Sequence, residues 1–317
     1  MVDAIFVVED PTQWHAENMT MHPEHYSSFA KLGAAAVATL QSLPAGLYFN
    51  TSVPLPGTQH TPPPPQLLKY GVISLSQLLV DLCTWRWLYA AGRLHKPVRF
   101  LQPPPPVLAG ALQANIASAS AAALLLLPSV FPLGALLHTV AGLSYTGDFR
   151  MAIGENPHKV ANIVTRNAHH FSKLFLGSSH QVQALSGMGL VLPGGRLPQG
   201  ASADLAAAVA FNQREVGCTH TPQSTDEAFL MLPRPFQHRV LHTAGVPHED
   251  VSASLAQRLP LPARPRLARA LQRTITATVA PAAALQSVKG ILTAGPGKSA
   301  AYALAKLQKQ ARGLLRR

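Results

Sequence analysis

Two polar side chains that could act on a phosphate group lie at or within apolar, strand-like runs. Asp3 precedes the run Ala4 to Val8, and Lys69 lies inside the segment QLLKYGVIS. A carboxylate at the head of a strand can bind Mg²⁺ together with phosphate oxygens, and a strand lysine can face an anion at the sheet edge. The same positions also suit a capping or turn-forming aspartate and a lysine whose ammonium group reaches water.

Basic residues surround a predicted helix-to-strand turn. The segment LYAAGRLHKPVRF contains Arg93, Lys96 and Arg99, and Gly92 is suited to the C-cap of the helix. These side chains can bind an anion, although basic residues also complement the negative end of a helix.

A glycine-rich turn carries the first charges after a long uncharged stretch. No charged residue occurs from 100 to 147, and GLSYTGDFRM then supplies Tyr145, Asp148 and Arg150. Polar groups are costly in apolar surroundings, so this cluster indicates a pocket. The alternative is that Asp148 and Arg150 merely pair with each other.

The C-terminal segment combines a glycine-rich turn with a basic helix pattern. KGILTAGPGKS at 289–299 resembles a phosphate-binding loop, but Leu292 stands where that loop needs glycine. The turn either presents backbone amides to a phosphate or simply starts the last helix. Over 298–317, apolar residues fall on one face and six basic residues lie mostly opposite. This pattern predicts a helix at a membrane interface or a terminal helix packed on the protein.

The histidines do not indicate a metal site. His22-x-x-His25 and His169-His170 lack cysteine or carboxylate partners at metal-site spacing, so we expect surface or capping residues. The two cysteines form no C-x-x-C pair. No G-x-S-x-G element or dinucleotide fingerprint occurs, so hydrolase and dinucleotide-binding functions gain no support.

The elements that must position these residues begin with an α/β segment over 1–101. Pattern and turn residues predict strands at 4–8, 46–51, 67–74 and 96–101, and helices at 25–42 and 76–92. The run IASASAAALLLL at 116–127 then predicts buried core helices within 107–232. A membrane-spanning helix would need roughly 20 apolar residues, and flanking Asn115 and Pro128 interrupt the run.

The net charge of +12 is confined to the end of the chain. Through Leu232, 12 basic residues balance 12 acidic ones, whereas residues 233–317 contain 14 basic and 2 acidic residues. This basic region predicts an anionic partner or a solvated tail. Aromatic residues are not interleaved with its charges, which disfavours nucleic acid.

The first ten residues, MVDAIFVVED, contain three acids and no base. They do not form a secretory signal or a mitochondrial presequence. A buried strand that starts at the first residue leads us to expect that upstream residues are missing.

Seven blocks in colinear order carry a resemblance to a known family. They are VDAIFVVEDPTQWH, GLYFN, LLKYGVIS, LYAAGRLHKPV, the helix ending in LLLLP, AGLSYTGDFRMAIGENPHKVANIV and SVKGILTAG. Together they resemble the mitochondrial translocator assembly and maintenance family, whose members are mitochondrial phosphatidate cytidylyltransferases.

The resemblance implies a nucleotidyltransferase-like α/β domain over 1–101, a helical winged-helix-like domain over 107–232, and a basic region over 233–317 with an amphipathic membrane-binding helix. It implies a Mg²⁺-dependent reaction in which CTP and phosphatidate give CDP-diacylglycerol and diphosphate for cardiolipin synthesis. The enzyme would lie peripherally on the matrix side of the mitochondrial inner membrane, on an anionic phospholipid surface.

The resemblance also implies roles for individual residues. Asp3 matches the metal-binding, catalytic aspartate, and Lys69 is a second catalytic candidate. Candidate nucleotide or phosphate contacts are Arg93, Lys96, Tyr145, Asp148 and Arg150. The chain lacks the family's Tyr-Gly-Ser-Gly-Val type loop and its strand, which precede the Asp3 strand. An inactive truncated homologue that binds anionic membranes is therefore an alternative.

Overall fold

The computed structural model describes residues 2–55, 66–152, 155–192, 213–247 and 261–294. It is a mixed α/β structure with two compact units. The first unit comprises the described residues of Met1–Val80, Phe149–Asn156 and Pro281–Arg317, and the second those of Asp81–Asp148 and Pro157–Ala280. The turn at 295–299 and the basic helix pattern at 298–317 lie outside the described residues.

The first unit contains a three-stranded mixed sheet. Its strands are β1 (Val2–Val8), β2 (Tyr48–Pro54) and β3 (Leu67–Ser74). β3 lies in the centre, parallel to β1 and antiparallel to β2. The predicted strands at 4–8 and 67–74 are confirmed, and the strand predicted at 46–51 begins and ends slightly later.

Helices of the first unit pack on one face of this sheet. Tyr70 and Val72 of β3 form a buried cluster with Val53, against which Trp14 of α1 (Pro11–Met21) packs. The single helix predicted over 25–42 is wrong in its first part. Short 3₁₀ turns occupy Pro23–His25 and Ser28–Leu32, and α2 (Ala34–Ser42) starts only after Gly33, whose φ of 92° no helix allows.

The helix predicted to run from 76 to 92 is also interrupted. α3 (Leu75–Thr84) ends before Trp85 and Leu88, whose φ angles of 50° and 52° break the helical path. The chain resumes helical structure only in the short α4 (Ala90–Arg93). The strand predicted over 96–101 is wrong, because this described segment has no regular structure.

The second unit is mainly helical. Its long α5 (Pro106–Leu126) is buried from Ser118 to Leu125, which supports the prediction of a core helix. A small antiparallel sheet has the order β4–β6–β5, formed by Val130–Pro132, Glu215–Cys218 and Leu190–Val191. Its remaining helices are α6 (Leu133–Gly142), α7 (Lys159–Arg166), α8 (Ala168–Leu176), α9 (Ser179–Gly187), α10 (Pro222–Leu230) and α11 (Arg234–Thr243). The last described helix, α12 (Arg264–Ala294), has residues of both units, since those from Pro281 onward belong to the first.

Two of these helices, α5 and α12, are long and apolar enough to cross a membrane. Core helices of soluble proteins meet the same criterion, so length and composition alone carry little weight.

Candidate active site

Asp3 and Lys69 are register partners on the parallel strands β1 and β3. Partners in a parallel pair project to the same face of the sheet, opposite to that of Tyr70. The Lys69 ammonium lies 4.6 Å from the centre of the Phe49 ring. That ring covers Gly71, where an added Cβ would come within 2.6 Å of Phe49 Cε1. The sheet thus holds a carboxylate and an ammonium group side by side.

The Asp3 carboxylate fits one part of a Mg²⁺ site. Its side chain is exposed on β1, and Mg²⁺ is commonly bound by one or two carboxylates, substrate phosphates and water. One or two protein carboxylates are therefore sufficient for such a site, because substrate phosphates and water supply the other ligands.

Basic side chains of the second unit surround Tyr145. The Lys96 ammonium donates to the Gly92 carbonyl at 2.6 Å and to Ser144 Oγ at 3.0 Å. It lies 4.8 Å from the centre of the Tyr145 ring, and the Lys159 ammonium lies 5.0 Å from the same centre. The predicted residues Lys96 and Tyr145 are therefore brought together.

Arg93 joins Lys96 and Lys159 in what we call the basic cluster. Its guanidinium stacks 3.9 Å from the centre of the Tyr89 ring and donates to the Tyr89 hydroxyl at 2.9 Å. Burial, with repulsion from Arg93 and Lys159, lowers the pKa of Lys96 to about 7. A bound anion would stabilise the charged form of Lys96, so this cluster has the electrostatics of an anion site.

Gly92 allows the close contact on which the basic cluster depends. A Cβ at this position would lie 2.2 Å from Ser144 Cβ, so any larger residue would push the two segments apart. Gly92 lies inside α4, and the C-cap of that helix is Leu94. The predicted capping role of Gly92 is wrong, and its function is to allow close packing.

The irregular segment before the basic cluster is held by a buried carboxylate. Asp81 Oδ1 accepts hydrogen bonds from the backbone N–H groups of Trp87 and Leu88, and Oδ2 accepts from those of Tyr89 and Ala91. Burial raises the pKa of Asp81, whereas these four hydrogen bonds oppose that rise. Four donors at once specify the path of a segment that has no regular structure of its own.

Two side chains from more distant helices complete this support. Asn115 of α5 accepts from Trp85 Nε1 at 2.8 Å and donates to the Ala91 carbonyl at 3.1 Å. Arg239 of α11 donates to the Trp85 carbonyl at 2.8 Å. Asp81, Asn115 and Arg239, which we call the polar frame, thus fix both ends of the segment from Trp85 to Ala91.

Asp148 and Arg150 fall in different units. Asp148 is buried in the second unit, where its N–H donates to the Tyr145 carbonyl at 3.1 Å. Arg150 lies in the first unit, in the 3₁₀ turn Phe149–Met151. Their joint role at a pocket stays a prediction.

Several residues of the site escaped sequence reasoning. Lys159 and Ser144 lie within the block AGLSYTGDFRMAIGENPHKVANIV without an assigned role, and the position of Ser144 next to Tyr145 could have pointed to it. Nothing local distinguishes Asp81 or Asn115, because their partners are fixed only by the tertiary structure.

The expectation that His22 and His25 lack a carboxylate partner is wrong. Glu24 Oε1 lies 3.5 Å from His22 Nδ1 and 3.4 Å from His25 Nε2. Glu24 lies between the two histidines in the sequence, and the 3₁₀ turn Pro23–His25 gathers all three side chains.

The mixed α/β fold, the Asp3–Lys69 pair on the sheet and the basic cluster of the second unit are compatible with a protein that binds phosphate groups. The family model for the mitochondrial phosphatidate cytidylyltransferases matches residues 1–309, and the chain belongs to this family of nucleotidyltransferases.

Curated relatives agree over almost the whole chain. Mitochondrial phosphatidate cytidylyltransferase of Drosophila melanogaster is 40% identical over 98% of this chain and 85% of its own. The Xenopus laevis protein of the same name is 37% identical over 100% of this chain and 85% of its own. For the human protein, the values are 35% identity over 93% of this chain and 59% of its own.

Proposed function

We propose that this chain transfers the cytidylyl group of CTP to phosphatidate, giving CDP-diacylglycerol and diphosphate. The single observation that carries the chemistry is the basic cluster, in which burial, together with repulsion from Arg93 and Lys159, lowers the pKa of Lys96 to about 7. Family membership supplies the substrates. The alternative of an inactive homologue has no support from the comparisons.

The reaction exchanges one phosphorus–oxygen bond for another. A phosphate oxygen of phosphatidate forms a bond to the α-phosphorus of CTP, and the bond from that phosphorus to the bridging oxygen of the β-phosphate breaks. Diphosphate leaves with the electron pair of the broken bond. The protein need only align the two substrates and offset their negative charge.

The residues of the two units have separate roles in this proposal. Asp3 would hold Mg²⁺, which neutralises charge on the reacting phosphates when bound. Lys69 beside it would donate to a phosphate oxygen. In the second unit, Arg93, Lys96 and Lys159 would bind a phosphate group of CTP or phosphatidate.

Three further residues would position the site or contact the substrate, and none would transfer a proton. Tyr145 positions Lys96 and Lys159 through its ring, and the buried Asp148 supports the turn that contains Tyr145. Arg150 would contact the nucleotide or its phosphates. The proposed reaction does not involve nucleic acid.

Both units suit the architecture expected for such an enzyme. The mixed sheet with β3 at its centre supports a nucleotidyltransferase-like domain. The small antiparallel sheet beside helices of the second unit supports a winged-helix-like arrangement. The relatives' names support a mitochondrial location, and we place the protein on the matrix side of the inner membrane, where its product would serve cardiolipin synthesis.

The titration of Lys96 provides a test of the proposed anion site. Because only the protonated form binds phosphate strongly, the KM of the substrate held there should rise as pH increases above about 7. Lys96→Arg keeps its charge and should flatten this rise, and Lys96→Met should raise KM at every pH. Steady-state kinetics with each substrate varied from pH 6 to 9 measures the effect.

The exposed Lys31→Arg is the matched control and should reproduce the wild-type profile. If both Lys96 variants showed the wild-type dependence of KM on pH, for CTP as well as phosphatidate, the basic cluster would not be a binding site for either substrate.

The C-terminal pattern provides a test of membrane attachment. Deleting 298–317 removes six basic residues, each of which contributes roughly 1 kcal/mol near an anionic surface. We expect weaker co-sedimentation with cardiolipin vesicles, whereas phosphatidylcholine vesicles should show little binding of either form. Unchanged binding to cardiolipin vesicles at moderate salt would contradict the interfacial helix.

A further inference from the structure

We propose that His22, Glu24 and His25 form a zinc-binding site in the first unit. The site is separate from the Mg²⁺ proposed at Asp3, because it adjoins Tyr70, whose side chain lies on the opposite sheet face from Asp3 and Lys69. Two imidazoles and one carboxylate are typical ligands of a Zn²⁺ ion that keeps a position open for water.

The local backbone brings the three ligands together. α1 ends at Met21, and the N–H of His22 still donates to the Asn18 carbonyl at 2.8 Å. Pro23 then starts a single 3₁₀ turn that ends at His25. As a result, the rings of His22 and His25 stack with centroids 4.7 Å apart and planes 9° from parallel.

Two distances between ligand atoms match those expected around a shared metal ion. Metal-to-ligand bonds of 2.0–2.1 Å in a tetrahedron require ligand atoms separated by about 3.3 Å. Glu24 Oε1 lies 3.5 Å from His22 Nδ1 and 3.4 Å from His25 Nε2, and all three ligand atoms lie within 4.8 Å of one another.

Direct ion pairing explains this geometry less well. Hydrogen bonds between a protonated imidazole and a carboxylate are usually about 2.7–2.9 Å long, shorter than either distance here. One carboxylate oxygen facing two imidazole nitrogens at a common, longer distance is the arrangement expected around a central cation.

Tyr70 orients His25 for this role. His25 Nδ1 lies 2.9 Å from the Tyr70 hydroxyl, so a proton on Nδ1 can be donated to Tyr70, leaving the Nε2 lone pair toward Glu24. The Asn50 Oδ1 atom is buried without a hydrogen-bond partner in the described part of the chain. Exchanging the Asn50 amide oxygen and nitrogen lets Tyr70 donate to Asn50 while it accepts from His25 and Asn18.

Solvent can reach the site and supply the remaining ligands. The side chains of His22 and Glu24 are 49% and 64% exposed, and that of His25 is 16% exposed. A Zn²⁺ ion bound here would have one anchored ligand, two accessible ligands and at least one water molecule.

Zinc titration of the metal-stripped full chain against a chromophoric chelator tests the proposal. The wild-type protein should bind one equivalent of Zn²⁺ that His22→Ala and Glu24→Gln each weaken by about tenfold or more. Zn²⁺ should also raise the unfolding temperature of the wild-type chain more than that of either variant.

His180→Ala is the matched control, because His180 is another exposed histidine outside the cluster. This variant should bind like the wild-type chain. His25 is left intact because it contacts the buried Tyr70 network, and unfolding of the metal-free variants verifies their folding. Wild-type affinity in both His22→Ala and Glu24→Gln would overturn the proposal.

Discussion

The Asp3→Ala variant is expected to lose cytidylyl transfer while it keeps its fold. The Asp3 side chain is exposed, and β1 is held by its backbone pairing with β3, so the strand does not need the carboxylate. Loss of a Mg²⁺ ligand removes several kcal/mol of charge stabilisation in the transition state. We therefore expect kcat/KM to fall by about 10²–10⁴-fold, since each 1.36 kcal/mol is tenfold in rate.

Glu9→Ala is the matched control, because Glu9 is an exposed carboxylate just beyond the other end of β1. Its turnover should equal that of the wild-type chain. Thermal unfolding of both variants checks the fold, and near-normal turnover of Asp3→Ala at saturating Mg²⁺ would refute the metal assignment.

The Asp81→Asn variant is expected to be strongly destabilised. Asp81 is 1% exposed and accepts four backbone N–H groups, two on each carboxylate oxygen. An asparagine amide keeps one acceptor oxygen and turns its NH₂ group toward two N–H donors. A buried hydrogen-bonded network broken on one side costs about 3–5 kcal/mol, which would lower the unfolding temperature by roughly 10 °C.

Asp226→Asn is the control for the loss of a carboxylate in the same unit, and it should unfold close to the wild-type temperature. Asp81→Asn should also raise the KM of the substrate bound at the basic cluster, because the segment before Arg93 loses its support. An unfolding temperature equal to that of the wild-type chain would show that Asp81 does not hold this segment.

The parts of the fold that the sequence predicts are those determined by local pattern. β3 was predicted with its observed bounds because an apolar run between turn residues is sufficient for a buried strand. Asp3 and Lys69 could be proposed separately, but their side-by-side placement depends on the parallel register of β1 and β3.

The parts that sequence reasoning missed depend on contacts between distant residues. The apolar pattern of α3 continues beyond Thr84, yet the chain leaves the helix there. Beyond that point, Asp81 accepts hydrogen bonds from the backbone N–H groups of Leu88 and Ala91, and Asn115 donates to the Ala91 carbonyl. The hydrophobic periodicity of the sequence does not indicate such side-chain-to-backbone hydrogen bonds, because their donors and acceptors come from separate elements. Arg93 and Lys96 were therefore predicted as nucleotide or phosphate contacts, but their grouping with Lys159 around Tyr145 was not.

The polar frame also has a consequence for how the protein fluctuates. The segment from Trp85 to Ala91 cannot open alone, because opening would leave the buried carboxylate of Asp81 without its four N–H donors and the Asn115 NH₂ group without the Ala91 carbonyl. Its backbone amides should then exchange with solvent only when the surrounding helices unfold, unlike those of an ordinary surface loop. A phosphate group that binds to Arg93 and Lys96 thus meets side chains presented by a segment that is already ordered, and its binding energy is not consumed in ordering a loop.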